Sequence, residues 1–137
     1  MSVITAEAAS TPKGMLWTGR VMSAVVILFM LFDGGIKLIP LDIVLSTSKE
    51  LGIPAHLARA LGVMTVGCAL LYAYRRTAVL GAVLFTGYLG GAIYVHVLNN
   101  SPLLSHTLFG VYLGILMWGG LWLRDARLRS LFPIRRD

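Results

Sequence analysis

Charge and cysteine are the scarce commodities of this sequence. Only 13% of its 137 residues are charged, six of them acidic, and Cys68 is the single cysteine. A soluble domain carries about 25% charged residues, so an ordinary water-exposed fold is excluded. One cysteine excludes an intramolecular disulfide and any dithiol chemistry within the chain, and its apolar surroundings make it read as a small buried hydrophobe. A glycine-rich nucleotide loop, a nucleophile elbow, a Ser-His-Asp arrangement and a His-Glu-x-x-His zinc motif are all missing. The longest gap is in charge itself: residues 77–123 contain no Asp, Glu, Lys or Arg. One bilayer crossing needs only about 20 apolar residues.

What remains is apolar, at 57% hydrophobic with a mean hydropathy of +0.79. The spacing predicts an all-α integral membrane protein, a four-helix bundle with no room for a separate catalytic domain. The spans fall at about 15–39, 54–74, 77–97 and 103–123, after an N-terminal segment at 1–14 that does not read as a cleavable signal. A short interfacial helix is expected at about 42–51 and a basic interfacial tail at 124–137, with Leu128, Leu131 and Phe132 on one apolar face.

The net charge of +6 does not point to nucleic acid. Four spans put the N-terminus, the second loop and the C-terminus on one side, together with Lys13, Arg20, Arg75, Arg76, Arg124, Arg127, Arg129, Arg135 and Arg136. Lys37, Lys49 and Arg59 fall on the other, so both termini are expected in the cytoplasm. Trp17 and Trp122 stand where a cytoplasmic aromatic belt belongs. Small residues provide close helix contact in lipid. The pairs Gly87/Gly91 and Gly110/Gly114 therefore predict packing of the third span on the fourth, with an oligomer face as the alternative.

Several polar residues sit where lipid penalises them. A carboxylate at mid-helix costs about 2.5–3.5 kcal/mol on insertion scales. Counting from Arg20 at 1.5 Å per residue places Asp33 roughly 10 Å below the outer surface, with Lys37 one turn further out and able to pair with it. His56 and Arg59 open the second span, Tyr88, Tyr94 and His96 lie along the outer half of the third, and His106 and Tyr112 begin the fourth. This predicts a pocket lined by Asp33, Lys37, Tyr88, His96, His106 and Tyr112, open to the outer leaflet.

Three uses of such a pocket stay open. Asp33, His96 and His106 suit acid–base chemistry on a lipophilic epoxide, alcohol or carbonyl, with Lys37, Tyr88, Tyr112 and Arg59 holding the ligand. His56, His96, His106 and Asp33 contain the donors of a zinc, copper or iron shell, and His96 with His106 the donors of haem ligation, although neither spacing forms a recognised ligand motif. Binding without chemistry, or assembly of a larger membrane complex with a partner protein, needs only the apolar walls.

The blocks Leu-Phe-Asp33-Gly-Gly-Ile-Lys37-Leu, Arg76-Thr-Ala-Val-Leu-Gly-Ala, Thr86-Gly-Tyr-Leu-Gly-Gly-Ala92, Ser101-Pro102 through His106-Thr-Leu-Phe to Tyr112-Leu-Gly, and Trp118-Gly-Gly-Leu-Trp-Leu-Arg124-Asp resemble the DoxX-like family of small four-helix bacterial membrane proteins. The resemblance covers about 17–133. It implies a multi-pass inner-membrane bundle linked to respiratory, quinone-dependent or oxidative-stress systems, and thus a lipophilic ligand, a quinone or isoprenoid-like compound, and a redox partner in the bilayer. Similar members carry a carboxylate in the second span, where this chain has Met64-Thr65, and a Thr-His-x-Arg pattern where it has Val95-His96-Val97-Leu98.

Overall fold

The computed structural model describes residues 11–39 and 42–135. These form α1 (Lys13–Leu38), α2 (Asp42–Glu50), α3 (Ala55–Ala73), α4 (Ala78–Leu98), a π-helical turn (Leu103–Thr107), α5 (Phe109–Arg124) and α6 (Ala126–Leu131), with no strand among the described residues. Four stretches, Lys13–Leu38, His56–Ala73, Ala78–Leu98 and Leu103–Arg124, are long and apolar enough to cross a bilayer. At 1.5 Å per residue they reach roughly 27–39 Å against a hydrocarbon core of about 30 Å. The chain is a multi-pass membrane protein.

Prolines punctuate the helices. α1, α3 and the π-turn each follow one, Pro12, Pro54 and Pro102, with φ of −59°, −57° and −52° and no side-chain cap. α1 stops at Ile39, which is extended (φ −99°, ψ 129°) because the proline that follows disfavours helical backbone before it. α4 ends at Asn99 and Asn100, the latter at φ 51°, a conformation that asparagine tolerates. Asn99 Nδ2 donates to the Leu51 carbonyl at 3.1 Å and ties the α2–α3 connection to the end of α4.

α1 packs on α3 and on α5, and α4 closes the ring between those two, so α1 and α4 face each other across it. Glycine decides where α1 comes close. A methyl on Gly19 would lie 2.7 Å from the Gly120 carbonyl, and one on Gly34 2.8 Å from Val66 Cγ2 and 3.1 Å from the Gly62 carbonyl. α1 therefore touches α5 at the end that holds the termini and α3 at the other end, called the loop end below. α3 and α4 meet through Gly81, where a methyl would lie 2.5 Å from the Tyr72 nitrogen.

The expected Gly87/Gly91 contact is not made. Both glycines face outward, and a methyl on either would meet nothing within 4 Å, because α4 turns Ala78, Ala82, Phe85 and Leu89 to the interior instead. Of the fourth span's pair, Gly110 does pack on α4, against Ile93 at 3.0 Å, and Gly114 only loosely against Leu89 at 3.7 Å.

A polar chain crosses the interior near the terminal end. Tyr72, fully buried, gives its one hydroxyl proton to the Met117 carbonyl at 2.6 Å. Its oxygen must then accept from Ser23 Oγ at 2.9 Å, and Ser23 in turn accepts from Arg124 Nε at 3.1 Å. Arg124 also lies over the Tyr72 ring at 5.6 Å. One phenol thus links α1, α3 and α5. Asp125 caps α6 through the Arg127 and Leu128 amides. Arg129, 7% exposed, donates through Nη1 to the Trp122 and Leu123 carbonyls that end α5. Leu128 is buried with it, whereas Leu131 and Phe132, read from the sequence as sharing its face, are exposed.

Two outcomes test this packing, both read by heating the detergent-solubilised protein with a thiol-reactive fluorophore that reports exposure of the buried Cys68. Gly81→Ala pushes a methyl into backbone and is expected to destabilise by about 1–3 kcal/mol, while Gly87→Ala leaves the transition unmoved or slightly raised. Equal losses would show that α4 is rotated differently. Tyr72→Phe breaks two hydrogen bonds of the crossing chain and is expected to cost about 0.6–1.7 kcal/mol, the range for interhelical hydrogen bonds in a bilayer.

Candidate functional site

The two glycine contacts of α1 lie at opposite ends, so the gap between α1, α4 and α5 widens toward the loop end. A cleft of about 140 Å³ opens there. Its walls are Phe29 of α1, Phe85, Leu89 and Ile93 of α4, and Phe109 and Leu113 of α5. Phe29 and Phe109 meet with ring centroids 5.1 Å apart, and Phe85 stacks on Tyr88 at 5.2 Å. An apolar cavity of about 150 Å³ holds one benzene ring, which sets the scale of what fits.

Two polar groupings border these walls. Lys37 Nζ donates to Asp33 Oδ2 at 2.7 Å, within one helical turn, and to the Tyr88 hydroxyl at 3.0 Å from α4. Asp33 and Lys37 are 29% and 23% exposed, so the carboxylate is neutralised by its neighbour at a depth where an isolated charge is costly. Tyr88 accepts from Lys37, and its own proton has no protein acceptor among the described residues. Accepting a hydrogen bond from a cation polarises the phenol and makes that proton a stronger donor.

The second grouping is the histidine pair. His96, near the end of α4, and His106, in the π-turn, stand edge to face with ring centroids 5.9 Å apart. His96 Nδ1 pairs with Ser101 Oγ at 3.0 Å and His106 Nδ1 with Ser105 Oγ at 2.7 Å. Each ring therefore keeps Nε2 without a protein partner among the described residues. The π-turn brings this about. Its amides reach back to the Pro102 and Leu103 carbonyls and put His106 beside His96 before α5 begins.

The structure thus gathers Asp33, Lys37, Tyr88, His96 and His106 around one cleft. Tyr112 is not among them. The face of α5 turned to the cleft carries Phe109, Gly110 and Leu113, and Tyr112 falls off that face, with its hydroxyl on the Leu104 carbonyl at 2.9 Å. Arg59 and His56 are also elsewhere, in a second cavity between α1, α2 and α3. A shell of His56, His96, His106 and Asp33 is therefore not assembled, and no group of three or more metal-ligating side chains forms among the described residues.

Sequence reasoning missed the aromatic walls and the two serines that orient the imidazoles. Ser105 adjoins His106 and Ser101 stands five residues after His96, so proximity in the chain was the available signal for both.

Neither a curated protein nor a solved structure matches the chain at a significant level. A family match spans residues 21–120, from the third turn of α1 to four residues before the end of α5, and so contains every residue of the cleft. On that match the chain belongs to the DoxX-like family.

Proposed function

We propose that this DoxX-like membrane protein holds the ring of a lipophilic carbonyl compound of the quinone class in the cleft between α1, α4 and α5, in support of a membrane redox process. The observation that carries this reading is the pairing of ring-sized aromatic walls with three unused polar positions, the Tyr88 hydroxyl proton and the two imidazole Nε2 atoms. A six-membered ring with oxygen atoms on opposite edges uses both features at once. Its apolar faces lie against Phe29, Phe85 and Phe109, and its oxygens take hydrogen bonds at the rim. Its tail leaves between helices whose outer surfaces are apolar, Phe32 and Ile115 among them.

In this reading Lys37 and Asp33 position Tyr88 and keep the rim electrically balanced, while His96 and His106 exchange protons with the ring oxygens. Electrons come from a redox partner protein in the same bilayer. In the same reading the protein lies in the bacterial inner membrane with both termini in the cytoplasm, an orientation supported by the sequence count of nine cations on the terminal side against Lys37, Lys49 and Arg59 on the other.

Binding of a short-chain ubiquinone to the purified protein tests the proposal, read by quenching of intrinsic fluorescence. Wild type is expected to saturate at one equivalent. His96→Ala and His106→Ala each weaken binding by roughly 3–10-fold, the value of one hydrogen bond. Ala92→Phe, which fills the cleft from α4, abolishes it. Unsaturable partitioning, or full affinity in Ala92→Phe, defeats the reading. The orientation is checked separately with fusions at the C-terminus: a cytoplasmic reporter is expected to be active there and a periplasmic reporter silent.

A further inference from the structure

The second cavity is the larger, about 340 Å³, and lies at the loop end between the end of α1, the short helix α2 and the start of α3. Three of its lining residues carry or can carry positive charge: Lys37, His56 and Arg59. Lys37 is held by Asp33, but Arg59 and His56 have no hydrogen bond or ion pair among the described residues. They stand one turn apart at the start of α3, which has no side-chain cap and no acidic residue in its first turn. The acidic residues of α2, Asp42 and Glu50, do not line the cavity.

The rest of the lining is apolar. α2 contributes Val44 and Leu45, and α1 contributes Leu38 and Ile39. An arginine at the edge of a span ordinarily snorkels into bulk interface. Arg59 is likewise exposed, beside an exposed His56, at the open side of a space of about 340 Å³ that α2 flanks.

We propose that this cavity is a site for a phosphate-bearing anionic amphiphile, an anionic phospholipid of the surrounding leaflet. Arg59 grips the phosphate through its planar fork, His56 adds a donor, and Lys37 forms the wall toward the cleft. The acyl chain follows Val44, Leu45, Leu38 and Ile39 out from under α2. Charge complementarity names the head group and the apolar side of the chamber names the tail. The site shares Lys37 with the cleft, but its test is separate from the quinone reading because neither Arg59 nor His56 touches the cleft.

The full chain in detergent is titrated with dioctanoyl phosphatidylglycerol, with dioctanoyl phosphatidylcholine and with inorganic phosphate. Bound lipid is counted by native mass spectrometry and stabilisation is followed by thermal unfolding. One equivalent of phosphatidylglycerol is expected to bind and to raise the transition, with phosphatidylcholine and inorganic phosphate far weaker. Arg59→Gln is expected to weaken phosphatidylglycerol by about tenfold or more, the range of a charge-assisted hydrogen bond. His56→Gln acts in the same direction and the double variant further, while Arg76→Gln, at the opposite end of the bundle, binds as wild type. Equal binding of the two lipids, or wild-type affinity in the Arg59→Gln/His56→Gln protein, overturns the proposal. Inorganic phosphate binding as tightly as the lipid overturns it too, because the tail then contributes nothing.

Discussion

Lipid offers helices no hydrophobic reason to associate, so α1 can approach its neighbours closely only where side chains are missing. It has two such places, Gly19 against Gly120 and Gly34 against Gly62, at opposite ends of the helix. The first draws it to α5 and the second to α3. A rigid rod held to different partners at its two ends must part from each of them at the opposite end. The cleft is where α1 has left α5, and the polar residues of α1, Asp33 and Lys37, stand in that gap.

Asp33 is tolerated because its compensation is local. Lys37 reaches it from the next turn, so the pair enters the bilayer as a neutral unit before any tertiary contact forms. Reading this pair as a structural device that helps the first helix end near the interface is compatible with the geometry. The geometry adds Tyr88, which draws the lysine toward α4 and makes the same side chain part of the cleft and of the second cavity. Among the described residues, Lys37 is the one charged side chain common to both spaces.

The existence of four spans, the breaks at the prolines and asparagines, the Asp33–Lys37 pairing and the family resemblance were legible in the residues. So was the gathering of Tyr88 and His96 with His106, because Tyr88, Ala92 and His96 recur at helical spacing and polar groups in an apolar span turn away from lipid. Helix rotation was legible only where such a polar marker exists. On α4, Ala82 and Phe85 are buried while Val83 and Leu84 are exposed, and no hydropathy scale separates the two sets when the solvent is itself hydrocarbon. The outward turn of Gly87 and Gly91 was hidden for that reason, whereas Tyr112 stands about 200° round α5 from Gly110 and so cannot share the face that Gly110 turns to the cleft. Tyr72 was hidden differently. Close to Tyr74, Arg75 and Arg76 it reads as an interfacial aromatic, yet it is fully buried while Tyr74 is 58% exposed.

The hydrogen-bonded chain through Tyr72 also bears on how the protein is made. Its acceptor, the Met117 carbonyl, and its terminal donor, Arg124, both belong to the last span to be synthesised. Until α5 is in place, Ser23 of α1 and the Tyr72 phenol of α3 lack the donor and the acceptor that α5 supplies. The three-span nascent protein is therefore an open ring with a polar seam. Arrival of the final helix closes the bundle and satisfies the seam in one event, so insertion of the fourth span is the step at which this protein becomes a folded unit rather than a set of neighbouring helices.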